Sequence, residues 1–226
     1  MRHKIKLLVV TALAMVTVGL HAENIFFPTK PGTVLVFAQK DGHGKITGYT
    51  RQTIKTVENS GENMIISFLY ESMDEHQNPI VSVPCKVTIK DGVMVFDLKY
   101  AFVGKLKNAK EKINVTGTPV KFPTNLMPGQ SIPDAHMVAN VERSFVNVRV
   151  EVAMTDGKCV AIEDITVPSG TFNSHKISQT LATTMMGSTN HSRLVSWGAP
   201  NVGIVRTDTY DDKNQLSSSV QLVEIK

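Results

Sequence analysis

Valine occupies every second position from Val146 to Val152, Met154 continues the series, and Asn147, Arg149 and Glu151 lie between. A period of two sends one set of side chains to a buried face and the other to water, so the segment reads as a half-buried strand. Shorter runs of the same kind recur at 32–39, 46–58, 62–71, 171–184, 192–198, 202–210 and 216–225. Gly, Asp and Asn separate them, which is the punctuation of an antiparallel β protein.

Three Asp-Gly pairs mark turns: Asp41-Gly42, Asp91-Gly92 and Asp156-Gly157. Both residue types tolerate positive φ, which tight hairpins require. A two-residue loop at Asp91-Gly92 pairs Lys90 with Val93, Ile89 with Met94, Val87 with Phe96 and Cys85 with Leu98. Ile89, Met94, Val87, Phe96, Cys85 and Leu98 then share an apolar face, and Lys86 opposes Asp97 on the other. A slip of one residue would exchange the faces, so the register is well specified. At Asp156-Gly157 a three-residue loop, Thr155-Asp156-Gly157, is preferred. It sets Val152 against Val160 and Val150 against Ile162, and turns Cys159 away from the valine face. Cys85 points into an apolar face, and these opposite tendencies argue against a Cys85–Cys159 bond.

One helix is expected over 99–111, where Leu98, Ala101, Phe102 and Leu106 form a stripe and Asn114 or Gly117 ends it. Residues 118–135 hold Pro119, Pro123, Pro128, Gly129 and Pro133 and read as a connection. The only candidate internal boundary falls there, and 23–226 is otherwise expected to be a single β-rich domain.

The first residues have a different character. Arg2, Lys4 and Lys6 precede an apolar run from Leu7 to Leu20, followed by His21-Ala22-Glu23. A basic head, a short apolar centre and a small residue at the cut make a secretory leader. Residues 1–22 are therefore expected to be a signal peptide, cleaved between Ala22 and Glu23. The run is shorter than the ~20 residues a spanning helix needs, although an uncleaved anchor or a buried helix is the alternative. No second such run follows, and no Cys near the cut invites a lipid anchor. The leader takes three of the 24 basic residues and no acid, leaving 21 against 20, a mature net charge of +1. The basic balance thus resides largely in the leader. Lys105, Lys107, Lys110 and Lys112 are interrupted by Glu111, and no clustered surface for phosphate backbones is visible.

Chemistry is sparse. Gly42-His43-Gly44 is followed next by Gly48, one position too far for a dinucleotide loop, and lies between strands. Asp74-Glu75-His76 is the one tight cluster of acids and histidine, in a loop ending at Asn78-Pro79; a metal site or a solvated loop would both suit it. There is no G-x-S-x-G, S-x-x-K or C-x-x-C. Asn114-Val115-Thr116 and Asn190-His191-Ser192 are sequons. No catalytic, cofactor or metal residue is assigned, and the chain is not expected to be an enzyme.

The motif series Gly32-Thr33-Val34-Leu35, Gly44-Lys45-Ile46-Thr47-Gly48-Tyr49-Thr50, Pro123-Thr124-Asn125-Leu126-Met127-Pro128-Gly129-Gln130, Val167-Pro168-Ser169-Gly170-Thr171-Phe172 and Trp197-Gly198-Ala199-Pro200-Asn201 extends across nearly all of the mature chain. In this order it resembles the TapB-like proteins, a family of unknown function exported by Gram-negative bacteria. The resemblance implies a large antiparallel sheet, curved as a half-barrel or sandwich-like, and no established activity. Members often carry Cys two residues after the Thr-Phe pair; here Ser174 stands there, which weakens a disulfide further.

The function expected is that of an exported, periplasmic or envelope-associated binding or carrier module for an apolar small molecule or lipid. Met64, Phe68, Met94, Phe96, Phe102, Met185, Met186 and Trp197 are candidate wall residues. The alternative is an assembly protein docking an envelope partner through a sheet edge. A hydrolase with an unrecognised site ranks third.

Overall fold

The computed structural model describes residues 25–61, 63–97, 102, 112–143 and 146–226. The leader and its Ala22–Glu23 cleavage site lie outside them. So does the helix expected over 99–111, except Phe102, which is helical and fully buried.

Thirteen strands form one sheet among the described residues. They are β1 (Val34–Asp41), β2 (Ile46–Ser60), β3 (Asn63–Met73), β4 (Pro79–Lys90), β5 (Val93–Phe96), β6 (Lys112–Thr118), β7 (Lys121–Pro123), β8 (Ala135–Arg143), β9 (Val146–Val167), β10 (Gly170–Met185), β11 (Ser188–Ala199), β12 (Gly203–Tyr210) and β13 (Leu216–Ile225). Every ladder is antiparallel. The order is β6-β8-β9-β10-β11-β12-β13-β1-β2-β3-β4-β5-β7. Two meanders, β1 to β5 and β8 to β13, are thus welded where the last strand pairs with the first.

The order forces curvature. Laid flat at ~4.8 Å per strand, the edges β6 and β7 would stand about 58 Å apart. Yet β6 ends at Thr118 and β7 begins at Lys121, and three Cα steps of ~3.8 Å reach about 11 Å at most. The sheet must curl until its two edges approach at this corner. No ladder joins them, so the curl remains an open half-barrel and not a closed barrel.

Two irregular segments fill the inside. Ile25–Phe27 runs as a strut. Ile25 C=O accepts the Asn201 N–H at 2.6 Å, and the Phe26 N–H points at Met94 Sδ at 3.2 Å. Successive side chains of an extended segment point opposite ways. The Phe26 ring accordingly meets His175 of β10 edge-on at 4.9 Å, while the Phe27 ring packs on Phe68 of β3 at 5.0 Å and Phe96 of β5 at 6.0 Å. The second segment, 124–134, is a strap. Thr124 N–H and Oγ1 both donate to Gly92 C=O, at 2.8 and 3.0 Å. Gly129 N–H donates to Cys159 C=O, and Ile132 N–H to Gly157 C=O. The main core consequently unites Ile54, Phe68 and Val87 from one arm with Val141, Cys159 and Ile177 from the other, through Phe26, Phe27, Leu126 and Ile132.

The Asp91-Gly92 hairpin has the expected register, Lys90↔Val93, Ile89↔Met94 and Val87↔Phe96. Its turn residues take φ of 50° and 70°, as a type I′ turn requires. Asp97 N–H donates to Lys86 C=O at 3.0 Å; Leu98 lies outside the described residues. Asp41-Gly42 is also a turn, with Asp41 Oδ1 accepting the His43 and Lys45 N–H groups at 2.9 Å each.

Asp156-Gly157 is not a turn, which corrects the sequence reading. β9 runs through it for 22 residues. Val150 and Val152 pair with Met185 and Thr183 of β10, and not with Ile162 and Val160. Asp156 takes a φ of 56°, and the ladder to β10 slips between Lys176 and Ile177 and between Ser178 and Thr180. The pair is therefore a bulge inside a strand. The glycine is needed for proximity: a Cβ on Gly157 would lie 2.9 Å from Ile132 Cβ and 3.0 Å from Gln179 Nε2. Two further expectations change. Asn114 and Gly117 lie within β6 and end no helix, and β7 interrupts the connection 118–135.

Candidate functional site

Between the strut and the curled sheet lies an open cavity of about 390 Å³, within the range of small-molecule sites. Phe26 and Phe27 form its inner side, and Leu35 and Phe37 of β1 part of its sheet wall. Phe96, Val120 and Phe122 close one flank; Leu194, Ile204 and Val220 lie on the other. Alternation explains β1, where Leu35 and Phe37 share a face. The same alternation brings Thr50 and Gln52 of β2 to the wall, since Phe37 pairs with Thr50 and Leu35 with Gln52.

Polar groups are thus built into an apolar site. Thr50, Gln52 and Gln179 are buried yet border the cavity. Ser196 and Thr207 also border it and bond to each other at 2.9 Å. Among the described residues Arg206 is the one charged residue bordering the cavity, but its side chain lies on the opposite face of β12 from Thr207, which with its partners Ser196 and Val220 holds the cavity face. Its guanidinium grips Asp208 in a fork, Nε to Oδ1 at 2.9 Å and Nη2 to Oδ2 at 2.8 Å, and lies 5.4 Å from the Trp197 ring centroid. Ser219 Oγ donates to the same Asp208 Oδ1 at 2.7 Å. Asp208 is only 2% exposed. A forked, buried partner of this kind neutralises the arginine where it stands.

His175 sits behind the strut. It is 4% exposed, and its Nδ1 has no hydrogen-bond partner among the described residues. Burial pulls its pKa down, opposed by a backbone hydrogen bond with Leu126 of the strap. The ring is thus held neutral between strut and strap.

Of the wall residues expected from sequence, Phe96 alone borders the cavity. Phe68, Met94 and Phe102 are core, and Met64 packs against it. Met185 and Met186 are exposed at the β10–β11 tip. Trp197 is buried in a second cluster with Val167, Val195 and Leu222, and its Nε1–H donates to Glu163 at 2.8 Å. That bond, then Lys176 beside it, holds the Glu163 carboxyl below its ordinary range. Leu35 and Phe37 were legible as one face of an expected strand. Phe26 and Phe27 were not, since a three-residue strut has no period.

The remaining candidates have local roles. Asp74 Oδ1 accepts the N–H groups of His76 and Asn78 at 2.9 and 2.7 Å, and Oδ2 accepts from the Asn78 side chain at 2.8 Å. The Asn78 bonds chiefly lower the Asp74 pKa, and its oxygens are spent on shaping the loop. Among the described residues no three His, Cys, Asp or Glu side chains are placed to hold a metal ion. Cys85 and Cys159 are not bonded to each other and both lie buried in the main core, and burial pushes the Cys159 thiol up.

An inward-curled, open antiparallel sheet around a partly filled apolar cavity is the class of protein that fold and site define. Residues 30–222 match the DUF3108-like family, and the chain belongs to it. No curated protein matches the sequence. Two solved structures share the fold. One is a protein from Bacteroides fragilis, described as an inferred exported protein with a YmcC-like fold, at 22% identity and a TM-score of 0.79, covering 89% of this chain and 98% of that one. The other is an inferred lipoprotein from Parabacteroides distasonis, at 24% identity and a TM-score of 0.78, covering 90% and 99%.

Proposed function

We propose that this is an exported cell-envelope protein that binds an apolar small molecule or lipid in its cavity without transforming it. The observation that carries the reading is the cavity of about 390 Å³ walled by Phe26, Phe27, Phe37, Phe96 and Phe122. An aromatic concavity open to solvent is favourable to fill, because each apolar Å² withdrawn from water contributes about 25 cal/mol. Export to the periplasm or envelope is supported by the leader-like residues 1–22 and by the descriptions of the two structural neighbours. The TapB-like affiliation is the finer form of the family assignment and rests on the ordered motifs alone. The reading invokes no cofactor, no nucleic acid and no membrane span after leader removal; no helix among the described residues is long and apolar enough to cross a bilayer.

The test is uptake of a neutral fluorescent probe, N-phenyl-1-naphthylamine, by delipidated protein. Saturable fluorescence enhancement with about one site per chain is expected. Its absence overturns the reading.

A second reading is docking of an envelope partner by strand addition. Among the described strands β6 pairs only with β8, leaving its other edge for another chain. Crosslinking in intact cells that captures a partner through Lys112–Thr118 would favour it, and the absence of a reproducible partner would sink it.

A further inference from the structure

We infer that the cavity selects single-chain amphiphiles with an uncharged, hydrogen-bonding head and disfavours heads of either charge. This inference rests on the cavity reading and names the chemistry of its occupant.

Size gives the first limit. At roughly 30 Å³ for a water-sized group, a volume of about 390 Å³ admits on the order of a dozen heavy atoms. One acyl chain of medium length fits with its head at the mouth. A two-chain phospholipid does not.

Electrostatics gives the second. Among the described residues Arg206 is the one charged residue at the wall, and its guanidinium lies on the opposite face of β12, bound to Asp208. A carboxylate or phosphate head therefore meets no cation inside the cavity and an ammonium head no acid, and either one loses its hydration without a partner. Uncharged hydroxyl, ester or amide heads meet neither obstacle. Thr50, Gln52, Gln179, Ser196 and Thr207 supply neutral donor and acceptor types along the same wall. Three of them, Thr50, Gln52 and Gln179, are less than a tenth exposed.

The experiment is displacement of bound N-phenyl-1-naphthylamine at pH 8 by three ligands of one chain length: 1-monododecanoylglycerol, dodecanoate and dodecylammonium. The monoglyceride is expected to displace the probe at a concentration at least ~10-fold lower than either ion. A charged ligand that equals or betters it overturns the inference while leaving cavity binding intact. Failure of the probe itself to bind removes the cavity reading and this inference together.

Discussion

At the residue scale the most consequential side chain is His175. Its ring lies between Phe26 of the strut and Leu126 of the strap, with Nδ1 unpartnered. Its strand neighbours at this register, Ile162 of β9 and Gly198 of β11, bring no charge. Because burial lowers its folded pKa below the ordinary 6.5, the unfolded chain binds the proton more readily. Stability from this group is therefore complete above about pH 6.5 and declines as pH falls toward the folded pKa. The decline cannot exceed about 1.4 kcal/mol per pH unit for one proton. Urea unfolding of the wild type between pH 7.5 and 5.5 should show this loss. His175→Phe should flatten that part of the profile, and an identical slope in the variant would rule out the assignment.

At the element scale, β9 shows how one residue type supports two structures. Asp-Gly made a turn twice, at 41–42 and 91–92, and a bulge once, at 156–157. The local signal is the same dipeptide; Asp91, Gly92 and Asp156 take positive φ, and Asp41 and Gly42 do not. What separates them is long-range: at 157 the strap crosses within contact distance, and Ile132 N–H bonds Gly157 C=O at 2.7 Å. Gly157→Ala should cost about 1–3 kcal/mol through overpacking, read as a lower urea midpoint. A neutral result would show that the strap yields freely. Elements resting on local pattern alone were legible. The strands expected at 46–58, 202–210 and 216–225 occur at Ile46–Ser60, Gly203–Tyr210 and Leu216–Ile225. β8 and β6 were missed because Met137, Ala139 and Val141 alternate within a stretch read as following a Pro-rich connection, and Asn114 and Gly117 read as a helix end.

At the scale of the whole molecule, the strut is the device that ties the two arms of the open half-barrel together. Phe27 joins β3 and β5 of one arm, Phe26 joins β10 of the other, and the two residues are consecutive in the chain. Phe27→Ala removes a ring that is 3% exposed and should lower stability by about 3–5 kcal/mol. It should also enlarge the cavity and raise the uptake of N-phenyl-1-naphthylamine per folded molecule. Loss of stability without any change in uptake would mean that Phe27 is core only.

By itself the sequence determined the period of each long strand, the Asp91-Gly92 register and hence an antiparallel β chain, because these follow from neighbours within a few residues. It also carried the scarcity of catalytic motifs. The tertiary structure alone decided that thirteen strands share one sheet, that its edges meet across Pro119-Val120, and that Ile25–Phe27 enters the interior. These rest on contacts between residues far apart in sequence, such as Phe26 with His175 and Phe27 with Phe96. No local pattern encodes such pairs. The same holds for the candidate site, whose Thr50 and Thr207 reach one wall only through the pairing of β1 with β2 and of β12 with β13.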